Sequence, residues 1–302
     1  MNDQQSNHIA FMRYKWLYFA ISLLILLPGA YSLIRYGLLL SIDFTGGSLL
    51  ELQASSSANF AKAAKDTGLE LYSVQSITGD SYLLRFKPMT QEQNEKFKTA
   101  LGPVTEKRFE TVGPIIGREL TQKAVLSIIL ASIFIVLYIS WSFRKIPKTY
   151  SSWKFGVSAV AALLHDALVV LGLFSLFGHF YHVEIDSLFV TAVLTVIGFS
   201  VHDTIVVFDR IRENLVKLPK STFEQVVDFS IAETLARSLN TSLTVTLILV
   251  ALLLFGGESI RWFVVALLVG IVSGTYSSIF NASPLLVLWE SVNPKISSQK
   301  SR

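Results

Sequence analysis

Six stretches of this sequence are apolar over enough residues to cross a bilayer, and no other feature restricts the fold so strongly. They lie near residues 16–35, 122–142, 155–177, 187–208, 238–255 and 262–289. A hydrocarbon core of roughly 30 Å takes about 20 such residues as a helix, and backbone crossing it must satisfy its own hydrogen bonds. The composition agrees: 51% of the 302 residues are hydrophobic and 16% charged, outside the ordinary soluble range. The fifth stretch is the shortest and the sixth includes frayed ends. The first resembles a leader peptide, with Arg13 and Lys15 before an apolar run and Pro28-Gly29-Ala30 after it. Its apolar character continues through Leu33 and Ile34, which predicts an uncleaved anchor.

Orientation follows from Lys and Arg in the short loops. Arg13 and Lys15 precede the first span, Arg144, Lys145, Lys148 and Lys154 follow the second, Arg210, Arg212, Lys217 and Lys220 follow the fourth, and Lys295, Lys300 and Arg302 end the chain. The opposite loops carry only Arg261, so both termini are expected on the cytoplasmic side. The net charge of +4 is spread through these loops instead of forming a basic face, which fits membrane topology and not nucleic-acid binding. With no cysteine, the chain has no disulfide, thiolate metal site or thiol nucleophile.

The organisation expected is a cytoplasmic N-terminus and first span over residues 1–36, an extracytoplasmic domain over 37–120, five further spans over 121–292, and a cytoplasmic tail over 293–302. Within the polar segment, residues 48–53 read as a strand, 58–67 as a helix closed by Gly68, 71–77 and 82–87 as a hairpin turned at Thr78-Gly79-Asp80, 91–101 as a helix and 104–112 as a strand. This βαββαβ order predicts an α+β ferredoxin-like sandwich. Asp43-Phe44-Thr45-Gly46-Gly47 reads as a turn needing positive φ; a phosphate-cradling loop would lead into a helix, and a strand follows. Residues 209–214 and 222–236 read as short amphipathic helices on the cytoplasmic surface. Gly270 and Gly274, spaced as GxxxG, read as helix packing.

Ionisable groups inside spans are costly, at least ~2.5 kcal/mol at a helix centre, and so mark places to look for function. Asp203 lies about five residues from the cytoplasmic end of the fourth span, too deep for its short side chain to reach water easily. Arg237 opens the fifth span, and Asn240, Thr241 and Thr244 extend one polar stripe that is expected to face the bundle. Two readings stand: Asp203 exchanges a proton as Arg237 approaches or withdraws, or the two form a static buried pair. His165 and Asp166, mid-span and pointing about 100° apart, fit helix-to-helix hydrogen bonding better than a relay, and His202 is read in the same way. No P-loop, GxSxG, HExxH or haem motif is present, so no enzymatic activity or cofactor is expected.

The segment 43–47, Val112-Gly113-Pro114, Leu164-His165-Asp166, the long block 198–214, Arg237-Ser238-Leu239-Asn240-Thr241-Ser242 and Gly274-Thr275-Tyr276-Ser277-Ser278 together resemble the SecF branch of the SecD/SecF family. The resemblance runs along most of the chain and implies one six-helix half of a fold like that of the resistance-nodulation-division transporters. It implies pairing with SecD beside the SecYEG channel and its ATPase SecA, with YajC and YidC as further partners and a translocating polypeptide as cargo. The proton-motive force would drive the work, with protons as coupling ion, in the bacterial plasma membrane or a thylakoid membrane. The family's proton-handling Asp and Arg fall on Asp203 and Arg237. Many members carry Asn at His202 and Tyr at Phe199, so this chain can hold an additional titrating group there. Two other readings are half of a small-molecule or lipid exporter, disfavoured by a single outside domain of about 80 residues, and a scaffold for SecD.

Overall fold

The computed structural model describes residues 10–55, 58–76, 80–143 and 150–291. The hairpin positions Thr78 and Gly79, the loop cations Arg144, Lys145 and Lys148, and the tail residues Lys295, Lys300 and Arg302 lie outside the described residues. The chain divides into two compact units, one of residues 40–127 with 184–187 and one of 1–39, 128–183 and 188–302.

The smaller unit opens with a single helical turn, α2 (Ile42–Thr45), and continues as β1 (Gly47–Gln53), α3 (Phe60–Asp66), β2 (Leu71–Ser76), β3 (Ser81–Phe86), α4 (Gln91–Leu101) and β4 (Thr105–Val112). Its antiparallel sheet runs β2-β3-β1-β4, with β1 paired to β3 from Ser48↔Phe86 to Gln53↔Ser81. That order with two helices makes the ferredoxin-like sandwich. Period-two alternation sends Leu50, Leu52, Leu84 and Phe86 to one face, where they bury against Phe60, Ala63 and Ala64 of α3 and Phe97 of α4. Thr90 and Gln93 form a reciprocal capping box that starts α4. Asn59 caps α3 by accepting from Lys62 N at 2.9 Å.

Gly46 and Gly47 take φ of +73° and +128°. A Cβ on Gly46 would stand 2.9 Å from the Pro114 Cα, so the glycine is needed both for its dihedral and for the passage of the next helix. Just before it, Asp43 Oδ2 accepts from the backbone N–H (2.9 Å) and hydroxyl (2.7 Å) of Ser187, which begins a later helix, α7.

The larger unit is helical: α1 (Lys15–Arg35), the later part of α5 (Pro114–Ser142), α6 (Ser152–Tyr181), α7 (Ser187–Lys217), α8 (Phe223–Phe255), α9 (Arg261–Ser277) and α10 (Ser283–Ser291), the last two joined by a π-helical turn over Ser278–Ala282. Among the described residues six helices are long and apolar enough to cross a membrane: Phe11–Arg35, Pro114–Ser142, Ser152–Tyr181, Ser187–Lys217, Phe223–Phe255 and Glu258–Ser291. The chain is therefore a multi-pass membrane protein. The third, fourth and sixth spans are 44%, 50% and 56% buried over their most apolar windows against 6% for the second, so α6, α7 and α9–α10 form the interior.

Helix α1 runs unbroken through Pro28. The expected short surface helices at 209–214 and 222–236 are instead the ends of α7 and α8, which form one antiparallel hairpin. Arg210 pairs with Glu233 at 2.8 Å and Asn214 donates to Ser230 (3.0 Å) and Glu233 (2.8 Å), so polar groups that look like a solvated surface stitch two long helices together. Thr222 and Gln225 supply the capping box that starts α8.

Candidate functional site

Polar residues inside the helical unit gather around two aspartates. Asp203 on α7 is 2% exposed, and its Oδ2 accepts from Ser242 of α8 and Thr275 of α9, both at 3.4 Å. Those two hydroxyls hydrogen-bond each other at 2.5 Å, so part of their donor capacity is already used. His202 Nδ1 stands 3.6 Å from Asp203 Oδ1, beyond hydrogen-bond length, on a side chain that is 66% exposed. Asp203 is thus a deeply placed carboxylate with two long hydrogen bonds and no Lys or Arg ion pair among the described residues.

Arg237, Asn240, Thr241 and Thr244 do line one face of α8, but that face is exposed, and the expectation that it points into the bundle is corrected. Ser238 and Ser242, about 100° round the helix from Arg237 and Thr241, face inward instead. The reason is that small hydroxyls fit a close helix crossing, whereas a guanidinium and an amide do not. Thr241 and Thr244 satisfy their hydroxyls on their own helix, donating to Arg237 O at 3.0 Å and Asn240 O at 2.8 Å. The structure therefore does not bring Arg237 to Asp203.

Asp166 on α6 is 1% exposed and held quite differently. Its Oδ2 accepts from Ser200 of α7 and Ser277 of α9, both at 2.6 Å, and its Oδ1 from Ser273 of α9 at 2.7 Å. His165 Nδ1 lies 3.0 Å from the same Oδ1. The two adjacent side chains do share a pocket, because the imidazole is long enough to fold back over the 100° between them. Gly274 makes room for this junction, since a Cβ there would sit 3.1 Å from Ser200 Cβ and 3.6 Å from Asp166 Oδ2. Gly270, one turn earlier, admits Val196 against the α9 backbone, so the GxxxG spacing serves the α7–α9 crossing.

Ser200, Ser242, Ser273, Thr275 and Ser277 are the residues whose roles the sequence conceals. For Ser242, Ser273 and Ser277 the pattern signal is the i, i+4 spacing of hydroxyls at 238/242 and 273/277 within apolar helices. A second concealed feature is the ion pair of Lys154 on α6 with Glu290 on α10, at 3.2 Å with both side chains buried. Among the described residues no three His, Asp or Glu side chains are placed to hold a metal ion.

Helix α9 sends residues to both aspartates, Ser273 and Ser277 to Asp166 and Thr275 to Asp203, while α7 carries Asp203 itself one turn from Ser200, which donates to Asp166. Sliding or turning either helix thus alters the surroundings of both carboxylates together.

Known proteins similar to this chain are plentiful. The family described as "Protein export membrane protein SecD/SecF, C-terminal" matches residues 92–292, and the "SecD/SecF GG Motif" matches residues 31–58, which include Gly46 and Gly47. The "Protein translocase subunit SecF" of Thermobaculum terrenum is 44% identical over 93% of this chain and 94% of its own. That of Pseudomonas aeruginosa is 37% identical over 92% and 90%. The crystal structure of SecDF, a translocon-associated membrane protein from Thermus thermophilus, superposes with a TM-score of 0.80 at 33% identity, covering 95% of this chain. The chain spans only 39% of that SecDF chain's length. On the glycine motif, the six spans and the match along nearly its whole length, this chain belongs to the SecD/SecF family of protein export membrane proteins.

Proposed function

We propose that this chain is the SecF half of a membrane complex that uses the proton-motive force to promote protein translocation, with Asp203 as the group that binds and releases the coupling proton. One observation carries the reading: a carboxylate 2% exposed at the meeting of α7, α8 and α9, met by two hydroxyls at 3.4 Å and by no Lys or Arg among the described residues. An ionised group so placed is poorly compensated, and a neutral acid is well tolerated there, so a change in its surroundings changes whether it holds a proton. Arg237 is the nearby permanent cation in sequence, five residues before Ser242 on the same helix. Turning α8 by about 100° exchanges Ser238 for Arg237 on the inward face. Proton binding at Asp203 is thereby linked to the setting of a helix. His202, whose Nδ1 stands 3.6 Å from Asp203 Oδ1, is proposed as a relay to that carboxylate.

The partner is SecD. Relatives named SecF have this chain's length, whereas the solved SecDF chains are more than twice as long, which supports a second half contributed by another polypeptide. SecYEG, SecA, YajC and YidC are proposed as the surrounding machinery, and the ferredoxin-like unit as the extracytoplasmic part that meets the emerging polypeptide. Both termini are then cytoplasmic.

The test uses the assembled SecD–SecF complex in energised vesicles with the channel. Asp203→Asn and Arg237→Met should assemble in normal yield and lose the increment of translocation that the gradient supplies. Full activity in both variants sinks the reading, and loss of complex yield with the gradient response intact indicates a scaffold instead.

A further inference from the structure

The two hydroxyls that meet Asp203 hold fewer hydrogens than the contacts they make. A serine or threonine hydroxyl has one hydrogen to donate and two lone pairs with which to accept. Thr275 Oγ1 lies 2.9 Å from the carbonyl oxygen of Ile271 on its own helix, 2.5 Å from Ser242 Oγ and 3.4 Å from Asp203 Oδ2. Ser242 Oγ lies 3.4 Å from the same Oδ2. Four contacts thus share two hydrogens. Ile271 O can only accept, so the 2.9 Å bond takes the hydrogen of Thr275, and the 2.5 Å bond then takes that of Ser242. The two contacts to Oδ2 are the longest of the four, well past the roughly 2.7–2.8 Å usual for O–H···O, and they are left without a hydrogen from either hydroxyl.

Asp166 shows the opposite arrangement. Ser200 and Ser277 meet its Oδ2 at 2.6 Å and Ser273 its Oδ1 at 2.7 Å, the lengths expected of hydroxyls donating to a charged oxygen. That carboxylate is served as an anion. At Asp203 the place left open is for a hydrogen on the carboxyl itself. A neutral Asp203 donates to Ser242, Ser242 to Thr275 and Thr275 to Ile271 O, so that each hydroxyl donates once and accepts once. An ionised Asp203 is served only when this chain reverses: Thr275 leaves Ile271 O and donates to Ser242, which donates to the carboxylate.

We propose that Ser242 and Thr275 are positioning residues for the proton at Asp203: by spending their hydrogens on each other and on Ile271 O they favour the neutral acid, and the direction of the hydroxyl chain follows its proton. This rests on the reading of Asp203 as the proton-binding group. Loading forms one O–H bond on the carboxyl with a proton from hydronium and leaves water; release breaks that bond and returns the proton to water. The hydroxyls turn about their Cβ–O bonds, and no other covalent bond changes. Ser242 stands on α8 and Thr275 on α9, so a carboxylate that takes both as donors draws those helices toward α7. The groups around Asp203 are few. His202 on its own helix stands 3.6 Å from Oδ1; α8 presents Ser242, with Arg237 on its exposed side; α9 presents Thr275; α6 presents Asp166, reached through Ser200 one turn back on α7; the π-helical turn presents Ser278, bonded to Thr204 at 2.8 Å. Among the described residues only His202 brings a group able to carry positive charge within 4.0 Å of the carboxylate.

Infrared spectroscopy of the assembled SecD–SecF complex in bilayers tests the chain, because a protonated carboxyl shows its own C=O band, assigned to Asp203 by its loss in Asp203→Asn. Thr275→Val keeps the shape of the side chain but removes the acceptor of the Ser242 hydrogen, which then turns to the carboxylate. The ratio of protonated to ionised Asp203 at a given pH should fall about tenfold. Ser242→Ala removes the donor that an ionised Asp203 needs and should raise the ratio, while Thr275→Ser keeps the hydroxyl and should restore the unsubstituted value. Lost packing alone would move both deletions the same way, so shifts of one sign, or no shift, overturn the proposal. Should Thr275→Val fail to assemble, Thr275→Ala carries the same expectation. In vesicles, the pH at which the gradient-stimulated increment is half-maximal should move with the ratio. If the Asp203 band titrates but ignores loss of the Thr275 hydroxyl, the chain fails alone. If the band is absent or unchanged between about pH 4 and 10, the proton-binding reading fails and the chain falls with it.

Discussion

Outside the spanning helices, Glu106 of β4 shows how one contact sets a pH dependence. Burial pushes its carboxyl up, but hydrogen bonds from Lys98 (2.7 Å) and Asn94 (2.9 Å), with the Lys98 charge, outweigh that and hold it below the usual carboxylate range. A depressed carboxyl stabilises the fold above its unfolded value of about 4.3, and the contribution is lost as pH falls through the lower folded value. Glu106→Gln should therefore loosen the α4–β4 contact by about 1 kcal/mol at neutral pH, read as faster hydrogen exchange of their amides in the full chain. The difference from the unsubstituted protein should shrink as the pH is lowered below about 4. In the spans the same physics made Asp203 and Asp166 legible from sequence, because a carboxylate in an apolar run is itself the signal. The serines around them carry little beyond their i, i+4 spacing, since Ser is ordinary in such helices and its partner depends on rotation that a sequence does not encode. Arg237 and its stripe were legible as a stripe, but which way the stripe faces depends on what else packs there.

At the scale of elements, helix existence was readable because length and hydropathy decide it, and the sandwich was readable because the period changes from 3.6 to 2 between its parts. Helix ends were less so: the charges at 209–217 suggest a boundary, while Asn214 and Arg210 are satisfied by α8, and the helix goes on. The crossing of α1 and α6 left no trace, because it depends on one glycine from each helix. A Cβ on Gly172 would lie 2.7 Å from Gly29 Cα, and one on Gly29 2.9 Å from Gly172 Cα, so backbone meets backbone. Just beyond, Ser32 and Ser175 hydrogen-bond at 2.8 Å. Gly172→Ala must push these helices apart and should cost about 1–3 kcal/mol as overpacking. Gly198→Ala on α7, where a Cβ would meet no heavy atom within 4 Å, is the matched control and should be neutral. Thermal unfolding of the solubilised full chain compares them, and equal midpoints would mean that the glycine contact does not hold α1 to α6.

At the scale of the whole molecule, the exposed face of α8 sets a requirement that this chain does not meet by itself. Arg237 stands where the apolar run begins, and its long stem lets the guanidinium reach the interface. Asn240 and Thr244 lie one and two turns further in and have no such escape, and Asn240 makes no side-chain hydrogen bond among the described residues. An amide left unpaired in hydrocarbon costs about 4–8 kcal/mol on water-to-cyclohexane scales, so Asn240 has to meet either water or polar groups of another helix. The second half proposed above supplies that surface. Because the chain has no cysteine, single cysteines can be introduced and read one at a time. Asn240→Cys and Thr244→Cys should react with a small membrane-permeant maleimide in the isolated chain and become at least tenfold slower to react in the SecD–SecF complex. Ile133→Cys, on the exposed side of α5, should react equally in both. Unchanged reactivity of α8 on assembly would place the partner elsewhere and leave the Asn240 face to water, in which case Arg237 would lie on an aqueous path and not at the seam between halves.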